Sequence, residues 1–269
     1  MPETPRENPG KNSADDWWVE LYDDLLAESL LVREESESTT IGFLEEELGL
    51  AAHRSRGTET RVFDQCCGIG SLAVPMAGRG HEVIGVDQAK GYIERARAHA
   101  AEAAGTVRFE VADAFEYVAD PGCHGALNWW TSYGYAESDA RNHSMLRRAF
   151  ESLLPGGRFA LDVPNLAGVL RGFEADRTDT RETPMGRIEM RRVSRIDLAA
   201  GRLLKRWTFR VEGEVQAERD TSLALALPHD HIKALEGVGF SLAAAYAGTD
   251  RRPLTIDSPR CVLIAEKPT

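Results

Sequence analysis

The chain has 269 residues, of which 42% are hydrophobic and 28% are charged, as in ordinary globular proteins. Acidic residues outnumber basic ones by 43 to 32, and residues 1–40 alone hold eleven acidic and three basic side chains. Such a surface repels a phosphate backbone, which argues against a general nucleic-acid binder. No apolar run approaches the ~20 residues that cross a bilayer, and the start does not resemble a signal peptide. We therefore expect neither nucleic acid nor membrane as a partner.

The four cysteines show neither a CxxC pair nor another spacing typical of metal ligands. Cys66 and Cys67 are adjacent and cannot easily bond to each other, and nothing else predicts a disulfide framework. We expect no metal site and a reducing, cytoplasmic environment.

The first part of the chain predicts a tail and two helices. Residues 1–14 are polar and contain three prolines, so we expect them to be disordered. Apolar residues at helical spacing predict a helix to about Arg33, and a second helix is expected to start at Thr40. We interpret residues 15–56 as an N-terminal helical lid.

Residues 57–165 alternate short apolar runs with helical stretches, which predicts a parallel sheet with helices on both faces. A helix is expected over Asp139–Leu154, ended by the Pro-Gly-Gly that follows. The five expected strands are RVFDQ (61–65), HEVIGVD (81–87), VRFEVAD (107–113), ALNWWTSY (126–133) and RFALDVP (158–164).

Residues 166–227 break this alternation and predict an inserted antiparallel β-meander of three strands. Its turns are expected at Ala199–Gly201 and Glu212–Glu214. A helix over 229–237 and two further strands then complete the core sheet within residues 228–269.

The meander is rich in arginine. These side chains either bind a substrate carboxylate or phosphate or form the solvated face of the sheet. The residues concerned are Arg187, Arg191, Arg192 and Arg195.

The stretch VFDQCCGIGSLAVPMA (62–77) carries the most chemical information. A strand is expected to end at Asp64, and Gly68 and Gly70 are expected to form a tight turn before a helix. Glycines let a backbone approach a ligand closely, since no Cβ intervenes. The Gly-x-Gly-x-x-Ala spacing, with Asp87 nineteen residues after the first glycine, is similar to a dinucleotide-binding fingerprint.

Asp64 favours one ligand class over another. A carboxylate beside the glycine turn repels a pyrophosphate and attracts an ammonium or sulfonium group, as in S-adenosylmethionine. Asp87 can then accept from ribose hydroxyls, and Asp113 with Ala114 can bind the adenine amino group. The alternative is that the three aspartates are only helix N-caps.

These segments resemble the motifs of class I S-adenosylmethionine-dependent methyltransferases of the small-molecule type. VFDQCCGIG is similar to the first motif, VIGVDQ, ending in Asp87 and Gln88, to the second, VADAF to the third, and LLPGGRFALDVPN to the loop and fifth strand. The resemblance implies a doubly wound, seven-stranded Rossmann-like α/β sheet in the order 3-2-1-4-5-7-6, with strand seven antiparallel. Cys66 replaces the family's usual first glycine, so its side chain is expected to point away or pack.

The end of the fourth strand, LNWWTSYGYAESD (127–139), is expected beside the transferred methyl group. Asn128 is a candidate cofactor ligand, and Tyr133 and His229 are candidate catalytic residues. The resemblance further implies that Trp18 and Tyr22 of the lid cover the cofactor, and Tyr22 is a third catalytic candidate.

We therefore expect methyl transfer from S-adenosylmethionine to nitrogen or oxygen of a small metabolite, in natural-product tailoring by resemblance. One alternative is intramolecular cyclisation of S-adenosylmethionine with release of methylthioadenosine. Others are an NAD-dependent oxidoreductase and a non-catalytic cofactor-binding protein. The acceptor, the base and the oligomeric state are not readable from the sequence.

Overall fold

The computed structural model describes residues 23–31, 37–55, 57 and 59–269. The predicted tail, and Trp18 and Tyr22 of the predicted lid, lie outside these residues.

The described end of the first predicted helix is helical. An α-helical turn at Asp24–Leu26 continues as a π-helix at Ala27–Leu31. We refer to residues 23–31 as the N-terminal strap.

Seven helices and eleven strands follow the N-terminal strap within the described residues. None of these helices combines the length and apolar composition needed to span a membrane. The helices are α1 Glu37–Glu47, α2 Leu50–Ser55, α3 Ala73–Gly78, α4 Lys90–Glu102, α5 Asp139–Ser152, α6 Leu166–Arg171 and α7 Pro228–Gly237. The strands are β1 Arg61–Gln65, β2 Glu82–Asp87, β3 Thr106–Val111, β4 Cys123–Asn128, β5 Leu153–Pro164, β6 Asp176–Thr183, β7 Gly186–Asp197, β8 Arg202–Val211, β9 Glu214–Ala224, β10 Ser241–Tyr246 and β11 Arg260–Glu266.

The main sheet has seven strands in the order β3-β2-β1-β4-β5-β11-β10. Strands β1 to β5 run parallel, whereas β11 is antiparallel to both β5 and β10. The predicted strand order and the antiparallel last strand are confirmed. Because parallel strands end at one edge, β1 to β4 bring their last residues together there.

The core lies on both faces of the main sheet, because successive residues of a strand point to opposite faces. Phe63 of β1 packs in one cluster with Leu146 of α5. Its neighbour Val62 packs in the opposite cluster with Leu44 of α1. All four side chains are buried, and each such burial is worth about 1.5–3 kcal/mol. This burial holds the helices on the two faces of the sheet.

The second sheet has four antiparallel strands in the order β6-β7-β8-β9, so the expectation of three strands was wrong. The missed strand β6 has the sequence DRTDTRET, which lacks alternating apolar residues. Strand β6 lies at an edge of the sheet and is mostly exposed, so its side chains did not need to be apolar. The short helix α6, which precedes β6, was also missed.

Two further boundaries differ from the expectations. Strand β4 ends at Asn128 and does not continue through the tryptophans, because Trp130 and Thr131 have φ values of +58° and +71°. Helix α5 ends at Ser152, and the predicted stop signal Pro155-Gly156-Gly157 lies within the long strand β5.

The N-terminal strap joins the second sheet to the main domain. Leu26 packs against Trp207 and Phe209 of the second sheet. The next residue, Ala27, packs against Ile69 and Tyr92 of the main domain. Adjacent side chains on the strap therefore contact two different layers.

A hydrogen bond and two ion pairs also hold the strap in this position. The Tyr92 hydroxyl donates to the Asp23 carbonyl oxygen at 3.0 Å, and Arg95 pairs with Glu28 at 2.7 Å. From the second sheet, Arg219 pairs with Asp23 at 3.3 Å. These contacts connect α4 to β9 through the strap.

The opposite end of the second sheet binds the loop after β4. The Ala224 amide donates to the Gly134 carbonyl oxygen at 2.9 Å, and Arg202 donates to the Tyr135 carbonyl oxygen at 3.3 Å. The sheet is thus attached to the main domain at both ends.

Gly70 provides a test of the turn after β1. Its φ is +81°, and a Cβ built on it would lie 2.9 Å from Phe109 Cζ of β3. The Gly70→Ala variant combines left-handed backbone strain with overpacking, so we expect a loss of about 2–4 kcal/mol in the free energy of unfolding. Denaturant unfolding measures the loss.

The matched control is Gly91→Ala, at an exposed position in α4 where a Cβ meets nothing within 4 Å. Alanine is the better helix former, so we expect this variant to be unchanged or more stable by up to about 1 kcal/mol. Equal stability of the two variants would contradict the packing role of Gly70.

Candidate cofactor and acceptor site

A cleft with about 790 Å³ of empty space lies where β1 to β4 end. We refer to it as the strand-end cleft. Six of the predicted cofactor residues line it: Cys66, Gly68, Asp87, Gln88, Asp113 and Ala114.

Asp87 is fixed at the end of β2 by backbone donors. Its Oδ2 accepts from the Gly68 amide and its Oδ1 from the Ala89 amide, both at 2.9 Å. Burial raises the pKa of Asp87, and the two amides oppose that shift. Each oxygen keeps a further lone pair, so the carboxylate can still accept from a ligand in the cleft.

Asp113 follows β3 and begins the turn that lines the adjacent wall. Its Oδ1 accepts from the Phe115 amide at 2.9 Å. No helix lies between β3 and β4, so Asp113 caps a turn and the alternative of a helix N-cap is wrong at this position. Phe115 presents its ring to the cleft, with the Arg141 guanidinium 4.9 Å from the ring centroid.

Asp64 lies at the end of β1 behind the cleft lining and is 3% exposed. Within the described residues its carboxylate receives no hydrogen bond and has no cationic partner. Burial, together with the negative charge of Asp87, raises the pKa of Asp64 to about 7. A buried carboxylate of this kind is stabilised by a cation that enters the adjacent space.

Cys66 occupies the position of the usual glycine with a φ of +65°, a left-handed conformation that glycine adopts without cost. Its side chain packs against the main core, as expected, but it also lines the strand-end cleft. Burial and the carboxylate of Asp87 raise the pKa of this thiol, against a hydrogen bond to Ser132. The thiol therefore stays protonated near neutral pH, which does not suit a nucleophile.

Asn128 lies beneath the cleft at the end of β4 and is 1% exposed. Its Nδ2 donates to Gln65 Oε1 at 3.1 Å, whereas its Oδ1 has no hydrogen-bond partner. An unpaired buried oxygen costs roughly 1–3 kcal/mol, so it favours an incoming donor such as an ammonium group. The hydrogen bond between Gln65 and Asn128 was not predicted. The two residues are 63 positions apart in the sequence and meet only because β1 pairs with β4.

Gly70 does not line the strand-end cleft, contrary to its predicted cofactor contact. Its missing Cβ leaves room for Phe109 in the core. Tyr92 was not predicted at all, yet it lines the cleft from the first turn of α4. Its position five residues after Asp87, at the start of the following helix, is the only sequence signal for it.

The far wall of the cleft is aromatic. Trp129, Trp130 and Tyr135 line it, and both tryptophans also line a second cleft beside β11. The left-handed turn at Trp130 is held by Asp162, whose Oδ2 accepts from the Trp130 amide at 3.2 Å. Arg260 pairs with the same carboxylate at 2.6 Å.

The described catalytic candidates lie outside the strand-end cleft. Tyr133 is buried in the core, where burial raises the pKa of its hydroxyl. His229 is exposed at the start of α7. Its neighbour His231 packs against Tyr133 with 5.8 Å between ring centroids, and burial lowers its pKa to about 4. Neither Tyr133 nor His229 is among the residues that line the cleft.

Comparison with known proteins agrees with this geometry. A model of the family described as "Methyltransferase domain" matches residues 62–157. No curated protein matches the sequence.

Solved structures share the fold at low identity. The CcbJ methyltransferase from Streptomyces caelestis is 19% identical with a TM-score of 0.75, covering 95% of this chain and 98% of that one. The sugar N-methyltransferase KedS8 from Streptoalloteichus sp. ATCC 53650 is 14% identical, with a TM-score of 0.65 and full coverage of both chains. CalS10, an amino pentose methyltransferase from Micromonospora echinaspora, is 16% identical with a TM-score of 0.61, covering 88% and 98%.

The matched methyltransferase domain spans β1 to the first residues of β5 and therefore contains all three strand-end aspartates. The chain therefore has a stretch that matches a methyltransferase domain, and its main sheet has the strand order that the resemblance to class I S-adenosylmethionine-dependent methyltransferases implied.

Proposed function

We propose that this protein is a class I S-adenosylmethionine-dependent methyltransferase that transfers a methyl group from S-adenosylmethionine to a nitrogen or oxygen atom of a small metabolite. The observation that carries the proposal is the strand-end cleft, where Asp87 and Asp113 line the wall and the buried carboxylate of Asp64 lacks a cation. The ligand that satisfies all three groups has hydroxyls, an adenine amino group and positive charge.

Different residues of the cleft would bind the ribose, the adenine and the methionine moiety of the cofactor. Asp87 would accept from the ribose hydroxyls, and Asp113 with Ala114 would bind the adenine amino group beside the Phe115 ring. The methionine moiety would lie over Cys66 and Gly68. The unpaired Asn128 oxygen and the Asp64 carboxylate would stabilise its ammonium group and the sulfonium.

When bound, S-adenosylmethionine supplies an electrophilic methyl group, so the chain has mainly to position and desolvate the reactants. Trp129 and Trp130 would exclude water from the reacting atoms. Tyr135 adds a ring with a hydroxyl group to the far wall. A base is needed only if the acceptor atom arrives protonated.

Two observations favour a small acceptor. The second sheet is attached at both ends of the cleft, through the N-terminal strap and through Gly134, which leaves little room for a polymer. Two structurally similar proteins, named as a sugar N-methyltransferase and a glycopeptide N-methyltransferase, favour nitrogen as the acceptor atom. The amino pentose methyltransferase CalS10, which is involved in calicheamicin biosynthesis, favours natural-product biosynthesis as the setting.

Product analysis tests the reaction. The purified protein is incubated with S-adenosylmethionine and a panel of small amines, amino sugars and phenols, and the products are separated by mass spectrometry. We expect S-adenosylhomocysteine to form only when an acceptor is present, with one methyl group added to that acceptor. Methylthioadenosine formed without an acceptor would contradict methyl transfer and support cyclisation.

Asp87 tests the cofactor site. The Asp87→Ala variant loses the acceptor for the ribose hydroxyls and the support of the Gly68 turn. We expect affinity for S-adenosylhomocysteine to fall at least tenfold, or by about 1.4 kcal/mol. Titration calorimetry measures the change.

The control for this variant is Glu82→Ala, which removes a carboxylate at the opposite end of β2, where it pairs with Arg61 at 2.7 Å. We expect its affinity to equal that of the wild type. Unchanged affinity in Asp87→Ala would remove Asp87 from the proposed site.

The raised pKa of Asp64 predicts that the affinity for S-adenosylmethionine depends on pH. A cationic ligand binds the ionised carboxylate, and burial together with Asp87 raises the pKa of Asp64 to about 7 without ligand. As the pH falls from 7 to 5.5, Asp64 becomes protonated and must release its proton on binding. We expect affinity for S-adenosylmethionine to fall roughly tenfold over that interval.

The matched variant is Asp64→Asn, which keeps the shape but not the charge. We expect it to bind S-adenosylmethionine more weakly at pH 7 and with a flatter pH profile. A wild-type affinity that does not change between pH 5.5 and 7 would show that Asp64 does not bind the cationic end of the cofactor.

A further inference from the structure

The inner face of the second sheet spans the strand-end cleft. At one end, Leu203 and Leu223 pack with Tyr135 of the far wall. At the other end, Phe209 packs with Leu26 of the strap, which leads directly to Ile69 of the opposite wall. Residues between these two contacts on the same face therefore lie over the cleft.

The middle of this inner face is cationic. On β8 the side chains of Lys205 and Trp207 lie between the apolar contacts at Leu203 and Phe209, because alternate residues share a face. Arg192 of β7 is paired opposite Trp207 in the sheet register. Lys205 Nζ lies 5.4 Å and the Arg192 guanidinium carbon 5.5 Å from the centroid of the indole ring.

These two cations are only partly neutralised. Arg192 pairs with Asp179 through one terminal nitrogen, but its buried Nε has no hydrogen-bond partner. Lys205 makes no ion pair or hydrogen bond with any described residue. Burial and the positive charges of Arg192 and Arg260 lower the pKa of Lys205 to about 8. The middle of the face thus has an excess of positive charge and unused donors.

Arginine side chains that serve only as solvated surface residues are expected on the outer face of the sheet, in contact with water. The neighbouring Arg191 does so and pairs with Asp176 on the outer face, and Arg206 pairs with Asp220 there at 2.7 Å. Lys205 and Arg192 instead lie on the inner face, where both side chains are partly buried. Two partly buried cations on one indole ring repel each other unless an anion lies between them.

We propose that the methyl acceptor carries an anionic group, a carboxylate or a phosphate, that binds between the Lys205 ammonium and the Arg192 guanidinium over the Trp207 ring. This inference rests on the proposed function, because it assigns the substrate class of the same site. The anion would fix the acceptor under the second sheet and direct its nucleophilic atom toward the cofactor. The same positive charges disfavour a protonated amine, so an amine acceptor would be held in its neutral, nucleophilic form.

The experiment uses the full chain saturated with S-adenosylhomocysteine and labelled with ¹³C-lysine. The sequence has five lysines, so the signal of Lys205 can be assigned from the spectrum of one variant, Lys205→Met. Inorganic phosphate and acetate are the two probes, and they distinguish a phosphate-bearing acceptor from a carboxylate-bearing one. Binding of S-adenosylhomocysteine is measured in the same samples.

We expect phosphate, acetate or both to shift the Lys205 signal with a millimolar dissociation constant. Calorimetry should show at least tenfold weaker binding of that probe to Lys205→Met and to Arg192→Met. The outward-facing control Arg206→Met should bind it like the wild type. These results would support the proposal and name the anion.

If neither phosphate nor acetate shifts the Lys205 signal, the proposal is overturned, as it is by equal binding of the probe to wild type and Lys205→Met. If S-adenosylhomocysteine still binds in those samples, the methyltransferase function stands and only the anionic acceptor is lost. If it no longer binds to the wild type, the proposed function itself is contradicted.

Discussion

The constraint on which this site depends is a buried carboxylate that has no counterion in the part of the chain that the structure describes. Asp64 is the last residue but one of β1 and is shielded from water, and Asp87 ends the adjacent strand β2. Two carboxylates so close raise the cost of ionising both, which the raised pKa of Asp64 reflects. A ligand with a cation near its sulfur and hydroxyls further along relieves that cost. In the proposed function, the strand order, the tight turn and the aromatic far wall would together place such a ligand at this edge.

Above the carboxylates lies a surface of the opposite sign. The second sheet presents Lys205 and Arg192 on its inner face, and the N-terminal strap holds that sheet in position through Leu26 and Ala27. The carboxylates of Asp64 and Asp87 thus lie on one side of the proposed site, and the cations Lys205 and Arg192 lie on the other. A cationic cofactor and an anionic acceptor would each be drawn to its own side, so the two reactants would be oriented before the reaction begins.

Much of the fold follows from local patterns in the sequence. Buried parallel strands must be apolar, so RVFDQ and EVIGVD were recognisable without neighbours. Strand β6 was not recognisable, because an exposed edge strand has no need for alternating apolar residues. The end of β4 was also missed. Trp130 and Thr131 favour strands by composition, but the hydrogen bonds of Asp162 and Arg260 hold them in a left-handed turn.

For the site, too, some features followed from the sequence and others only from the structure. The sequence by itself determined that aspartates end the first three strands, because each sits directly after an apolar run, and hence which cofactor the edge suits. Only the tertiary structure decided that Gly70 faces Phe109, that Tyr133 is buried away from the cleft, and that Lys205 faces inward. Each of these depends on which distant segment packs against the residue. Side-chain direction relative to another layer is a property of the packed chain, and local spacing carries no record of it.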